Sequence, residues 1–182
     1  MGLERRTFLK IGLSGAAMLA VGGIGLGIRS SVLVEPSGPL HCLTPRQYSI
    51  FSAIADCIIS PTEAMPQIQD LGVVEQIDDM LRHVHPADRG QILQVLALLE
   101  NALSGFILDG RFQTFTATSR EARVRILEGW RTSRLSVKQQ AFVALHGLCV
   151  AAYWGHPDAY IFAGYSGPPD FAAMGLGEPA DE

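Results

Sequence analysis

Histidines are the residues of this sequence that most readily bind metals or transfer protons, and there are five of them. Only His83 and His85 lie close together, separated by Val84. This spacing on a helix points the two rings to different faces, whereas helical ligand pairs need a spacing of three or four residues. This spacing therefore favours structural roles for His83 and His85. His146 lies in an apolar stretch and is expected in the core or at a contact between helices.

Two further patterns are incomplete versions of catalytic motifs. Residues 164–168 approach the Gly-x-Ser-x-Gly nucleophile elbow, but Pro168 takes the last position and no strand is predicted before them. Asp78 and Asp79 could form a carboxylate pair, but adjacent helical residues diverge, and both are expected on a solvated helix face. We therefore expect no catalytic, cofactor-binding or metal site in this chain.

The cysteines and the charge exclude further classes of function. Cys42, Cys57 and Cys149 include no Cys-x-x-Cys, which argues against a zinc ribbon and a c-type haem attachment site. Their odd number leaves at least one thiol free or paired with another chain.

The net charge of -4 and the scattered basic residues argue against a nucleic-acid partner. The basic residues between 120 and 134 are interleaved with Glu121 and Glu128, as on a solvated helix face.

Residues 1–31 have the layout of an export signal, with a basic start and an uncharged apolar middle over residues 11–28. The start resembles the twin-arginine signature Ser/Thr-Arg-Arg-x-Phe-Leu-Lys, with Glu4 at its first position and the rest matched by Arg5, Arg6, Phe8, Leu9 and Lys10. No Ala-x-Ala cleavage site follows the apolar run. A cleaved signal and a retained membrane anchor both stay open.

The elements that would position any site are predicted to be helices. Residues 32–43 contain Pro and Gly and are predicted to be a linker. Residues 44–154 show helical periodicity without alternation of period two, which predicts an all-α fold: a single small domain of about five helices, preceded by a signal helix. Capping-box patterns begin at Thr44, Thr118 and Ser136. The third predicted helix, from about Asp88 to Asp109, is apolar nearly all round and is expected to be central.

Residues 155–182 are predicted to be an irregular tail, because Gly and Pro recur too often for a long helix. The segment is nevertheless rich in aromatic residues, which need cover from either the chain's own helices or a partner. We expect a partner-docking segment formed by Tyr160, Phe162, Tyr165, Gly167, Pro168 and Phe171. A strap that packs on the chain's own helices is the alternative.

Three parts of the sequence together resemble the gluconate 2-dehydrogenase subunit 3 family, the small subunits of membrane-associated flavin sugar and sugar-acid dehydrogenases. One is the twin-arginine start. The second is the opening helix, from Leu43-Thr44 to Ala55-Asp56-Cys57-Ile58-Ile59-Ser60-Pro61, in which Ser60 departs from the spacing usual in the family. The third is Gly164-Tyr165-Ser166-Gly167-Pro168, which is similar to the Gly-Tyr-x-Gly-Pro near the family's C-terminus.

The resemblance implies a non-catalytic subunit that binds no cofactor itself. Its partners would be an FAD-containing catalytic subunit, a cytochrome c subunit with haem c, the twin-arginine translocase and the membrane. The twin-arginine pathway moves folded proteins, so this subunit would carry the export signal and escort the folded flavoprotein to a periplasmic, membrane-associated location. The alternative from another class is a stand-alone, membrane-tethered periplasmic protein with a structural role.

Overall fold

The structure is a computed structural model that describes residues 33–101 and 113–167. Within these two ranges the chain forms helices and no strand, which confirms the predicted all-α fold. The elements are α1 Pro45–Ile59, α2 Val73–His83, α3 Pro86–Glu100, α4 Arg120–Arg131, α5 Ser136–Trp154, α6 Pro157–Tyr160 and a 3-10 turn, Ile161–Ala163. The predicted export signal at 1–31 lies outside the described residues. The predicted tail, 155–182, is described only as far as residue 167.

Helix α1 begins with the capping box that the sequence predicts. The Thr44 hydroxyl accepts from the backbone N–H of Gln47, and the Thr44 N–H donates to the Gln47 side chain at 2.8 Å. Pro45 occupies the first helical position, where no N–H is needed. Ser60 ends the helix in the left-handed conformation, with φ of 48°. This helix places its buried face, including Tyr48, Phe51, Ile54 and Ala55, in the core.

The other two predicted capping boxes are wrong, although both helices exist. Ser119 caps α4 by accepting from the Ala122 N–H, since the Thr118 hydroxyl donates instead to the Phe115 carbonyl at 2.7 Å. Ser136 lies inside α5, which begins without a side-chain cap.

Histidine rings cap two helices, a role that the sequence analysis missed. Nδ1 of His85 accepts from Ala87 at the start of α3, and Nδ1 of His156 accepts from Asp158 at the start of α6. A proline follows each of these histidines at the first helical position. A His-Pro pair just before a predicted helix could therefore have indicated both caps, because the first turn of a helix has N–H groups without helical partners.

Helix α5, and not α3, is central. It contacts α1, α2, α3, α4 and α6, and it buries residues such as Leu145, Cys149 and Tyr153. Helix α3 packs against α1 and α5 and buries only Leu96, Leu99 and Glu100. It also ends earlier than predicted, at Glu100, because Asn101 takes an extended conformation. Residues 102–112, where the predicted helix would continue, lie outside the described residues.

Residues 33–43, which we call the strap, have no regular structure but are fixed to the helices. The buried carboxylate of Asp78 accepts from the backbone N–H groups of His41, Cys42 and Leu43, at 2.6, 2.9 and 2.7 Å. Asp78 is only 1% exposed, so its predicted place on a solvated face is wrong. Three backbone donors replace the water that the carboxylate loses on burial. Asp79, by contrast, is exposed.

Candidate functional site

The candidate catalytic and metal-binding groups lie apart in the part of the chain that the structure describes. No cluster of three or more His, Cys, Asp or Glu side chains there could hold a metal ion. Nδ1 of His83 lies 3.0 Å from the Asp79 carbonyl, and His85 caps α3. His146 is exposed, so it lies outside the core, and its ring is near the Phe142 ring of its own helix, with 5.5 Å between the ring centroids.

The serine of the incomplete nucleophile elbow also has a different setting from a catalytic serine. Ser166 is exposed and follows a 3-10 turn, whereas a nucleophile elbow follows a strand. The three thiols are free, and burial raises the pKa of Cys149 to about 12 and that of Cys57 to about 11. These two thiols are therefore protonated near neutral pH, which is unfavourable for nucleophilic chemistry.

The C-terminal end of α5 provides a rigid base for the residues that follow it. Tyr153 is buried, its hydroxyl donates to the Pro66 carbonyl at 2.9 Å, and its ring meets Trp154 edge-on at 5.1 Å. Helix α6 packs back against α5 and buries Ala159. The chain that leaves α6 therefore starts from a fixed position.

Residues 160–167, which we call the aromatic turn, contain four of the six predicted docking residues and bring Tyr160, Tyr165 and Gly167 together. The rings of Tyr160 and Tyr165 meet edge-on at 5.2 Å, and the Tyr165 N–H donates to the Tyr160 carbonyl at 3.2 Å. Gly164 reverses the chain with a φ of 76°. Gly167 has a φ of 104°, and a Cβ there would lie 3.2 Å from the Tyr160 hydroxyl oxygen. Both positions therefore favour glycine.

The aromatic turn presents large apolar side chains to solvent. The exposed fraction is 65% for Ile161, 52% for Phe162 and 49% for Tyr165. Ile161 is not among the predicted docking residues, although three large residues in succession, Tyr160 to Phe162, could have indicated it. Pro168 and Phe171, the remaining predicted docking residues, lie outside the described ranges. Exposed apolar side chains on a hydrogen-bonded turn form a surface suited to a protein partner.

The predicted export residues Arg5, Arg6, Phe8, Leu9 and Lys10 also lie outside the described ranges. Among the helices that are described, none combines the length and the apolar character needed to cross a membrane. This finding concerns the helical body alone.

Comparison with protein families gives a match to a known family. The family model for gluconate 2-dehydrogenase subunit 3 matches residues 45–167, from the first residue of α1 to the last residue of the aromatic turn. Comparisons with curated proteins and with solved structures gave no match. The matched range is more than half of the 182 residues and contains every described helix. This chain therefore belongs to the gluconate 2-dehydrogenase subunit 3 family.

Proposed function

We propose that this chain is the non-catalytic small subunit of a periplasmic, FAD-dependent sugar or sugar-acid dehydrogenase, and that it escorts and stabilises the flavin-containing catalytic subunit. The family match carries this proposal, because members of the family are subunits of a dehydrogenase complex. The chain would associate with the catalytic subunit, and a cytochrome c subunit would be the third member of the complex. FAD and haem c would then belong to the two partners.

The aromatic turn is the proposed contact with the catalytic subunit. Phe162 and Tyr165 are about half exposed, which supports docking over the alternative in which this segment packs on the chain's own helices. Their backbone is already ordered by the bond from Tyr165 to Tyr160 and by two glycines in left-handed conformations. Pre-ordering of this kind reduces the entropy that association would otherwise cost.

Export is the second part of the proposal. The pattern Arg5-Arg6 followed by Phe8-Leu9-Lys10 supports recognition by the twin-arginine translocase, which accepts folded proteins. A folded flavoprotein bound to this chain would cross the membrane with it. The pair would then work in the periplasm at the membrane surface.

The test is co-expression of this chain with the flavin-containing subunit, followed by purification through a tag on this chain. We expect a yellow complex that contains both chains, whereas this chain alone should be colourless and should not oxidise sugars. A colourless monomer from the co-expressing cells would contradict the proposed function. Stoichiometric visible absorbance that stays with this chain after removal of the partner would contradict its non-catalytic role.

Tyr165→Ala tests the aromatic turn within the same complex. Truncating a buried interface tyrosine should cost on the order of 2 kcal/mol of association free energy. The isolated chain should lose about 1 kcal/mol or less of unfolding free energy, because the Tyr165 ring packs mainly edge-on against the Tyr160 ring. Val124→Ala, at a partly exposed valine on α4, is the control and should leave association unchanged. A large drop in melting temperature with unchanged affinity would instead support the alternative in which the aromatic segment packs on the chain's own helices.

A further inference from the structure

The aromatic turn is too small to be the whole interface with a stable partner. Its three exposed apolar side chains offer together on the order of 300 Å², taking each as about half exposed. A specific, stable interface buries about 800 Å² on each partner. If the chain is a subunit of a stable complex, as proposed above, more of its surface must contact the catalytic subunit.

Helix α5 has an exposed face without charge, which we call the α5 face. From Gln139 to Trp154 the helix contains no Asp, Glu, Lys or Arg. The residues exposed on this face follow one another at spacings of three or four, as one side of a helix requires: Gln140, Val143 or Ala144, Gly147 and Ala151. Val143 is 67% exposed, the highest value among the large apolar side chains of the described residues.

Helix α4 shows how a solvated face of this protein differs from the α5 face. Half of its 12 residues are charged, and the exposed ones include Arg120, Glu121, Arg125, Glu128 and Arg131. Charged side chains of this kind are usual where a helix of a globular protein faces water. Their absence makes the α5 face better suited to contact with an apolar surface of another protein than a charged helix face would be.

A groove lies beside the α5 face, so this side of the protein is not flat. It lies between α3 and α5 and has a volume of about 340 Å³. Six of its nine lining residues are apolar, among them Ile92, Val137 and Ala144, and the other three are Asp88, Gln91 and Gln140. Small residues at 144, 147 and 151 would allow the backbone of a partner to approach α5 closely. The aromatic turn continues from the C-terminal end of the same helix through α6, which packs against α5.

We infer that the α5 face and the groove between α3 and α5 form, together with the aromatic turn, one docking surface for the catalytic subunit. The inference rests on the proposed function. The partner surface would be apolar and free of charged side chains where it meets α5, because a charge opposite this face would lose water without gaining a counter-ion. The α5 face and the groove provide the area that the aromatic turn lacks.

Gly147→Gln tests this inference without harming the fold. A Cβ at Gly147 would meet no atom within 4 Å, and a glycine inside a helix lowers its stability. The isolated variant should therefore melt at the same temperature as the parent chain or higher. Gln at this position would nevertheless hold a partner away from α5. We expect its affinity for the co-expressed flavin-containing subunit to fall at least tenfold.

Gly129→Gln is the matched control. Gly129 is also exposed and also lies within a helix, and a Cβ at this position would likewise meet no atom within 4 Å, but its helix is the charged α4. This variant should bind the flavin-containing subunit as tightly as the parent chain does. Equal affinities for the two variants would overturn the inference while leaving the proposed function intact. Failure of the parent chain itself to bind that subunit would overturn both.

Discussion

Burial keeps three weakly acidic side chains neutral in the folded protein. Burial raises the pKa of Cys149 to about 12 and that of Cys57 to about 11. The pKa of Tyr48 also rises to about 12, first because the phenol is buried and then because it donates to the Glu75 carboxylate at 2.9 Å. The unfolded chain would ionise these groups near their ordinary pKa values of 9.0 for Cys and 10.0 for Tyr.

These raised pKa values predict that the protein loses stability in alkali. Between pH 9 and about pH 12 the unfolded chain binds fewer protons than the folded one, so the free energy of unfolding decreases as the pH rises. Below about pH 9 this contribution to stability is fully present. Urea denaturation at pH 7, 9 and 10 measures the effect, with a decrease expected mainly between the last two values.

Cys149→Ala separates this effect from general alkaline damage. The variant should be less stable at pH 7, because a buried side chain is shortened, but its stability should decrease less steeply above pH 9. A free energy of unfolding that stays constant from pH 7 to pH 10 in the parent chain would contradict the prediction.

Among the elements, the strap depends most on a single side chain. The Asp78 carboxylate accepts three backbone N–H groups, and replacing it by an amide would turn an NH₂ group toward some of those donors. Asp78→Asn should therefore cost about 2 kcal/mol of unfolding free energy, as expected for lost bonds to a buried charge. Amide hydrogen exchange at residues 41–43 should also become faster.

The neighbouring residue is a natural control for this prediction. Asp79 is exposed, and its ion pair with Arg82 at 3.0 Å lies at the surface. Pairs of this kind contribute between zero and about 1 kcal/mol, so Asp79→Asn should have little effect on urea denaturation and none on exchange in the strap. Equal losses of stability in the two variants would show that Asp78 does not organise the strap.

The elements that can be predicted from the sequence are those determined by contacts between residues close together in the chain. Thr44, Pro45 and Gln47 determine the start of α1 through contacts within one turn, and the periodic apolar residues place Tyr48 and Phe51 in the core. The role of Asp78 could not be predicted, because its donors lie 35–37 residues away in the sequence. A pattern of residues that are close in the sequence gives no information about contacts between residues so far apart in it.

The prediction of the central helix is wrong for a related reason. Helices α3 and α5 are both rich in apolar residues, and periodicity alone does not tell which one the others surround. Tertiary packing places α5 at the centre and also leaves its uncharged side exposed. In the aromatic turn, the docking role inferred from composition stays a prediction, whereas the edge-on packing of Tyr160 and Tyr165 emerges only in three dimensions.

The whole molecule joins a predicted export leader to a helical body, for which we proposed a docking surface that includes the α5 face. The strap fixes the chain to the body from Val34 onward, where the Val34 N–H donates to the Ser49 hydroxyl at 2.8 Å. A partner bound at the aromatic turn and the α5 face would therefore be physically coupled to the leader through the folded body. In the proposed function, this coupling makes one export signal sufficient for two proteins.

The measurement that tests this escort role most directly is the location of the flavin-containing subunit when the leader is changed. Arg5→Lys with Arg6→Lys keeps the charge of the leader and removes the paired arginines, while Arg29→Lys replaces an arginine outside the pair as a control. Both forms are co-expressed with the flavin-containing subunit, and dehydrogenase activity is assayed in periplasmic and cytoplasmic fractions. We predict that the double variant keeps both proteins and the activity in the cytoplasm, whereas the control exports them normally. Periplasmic activity that persists in the double variant would contradict the account.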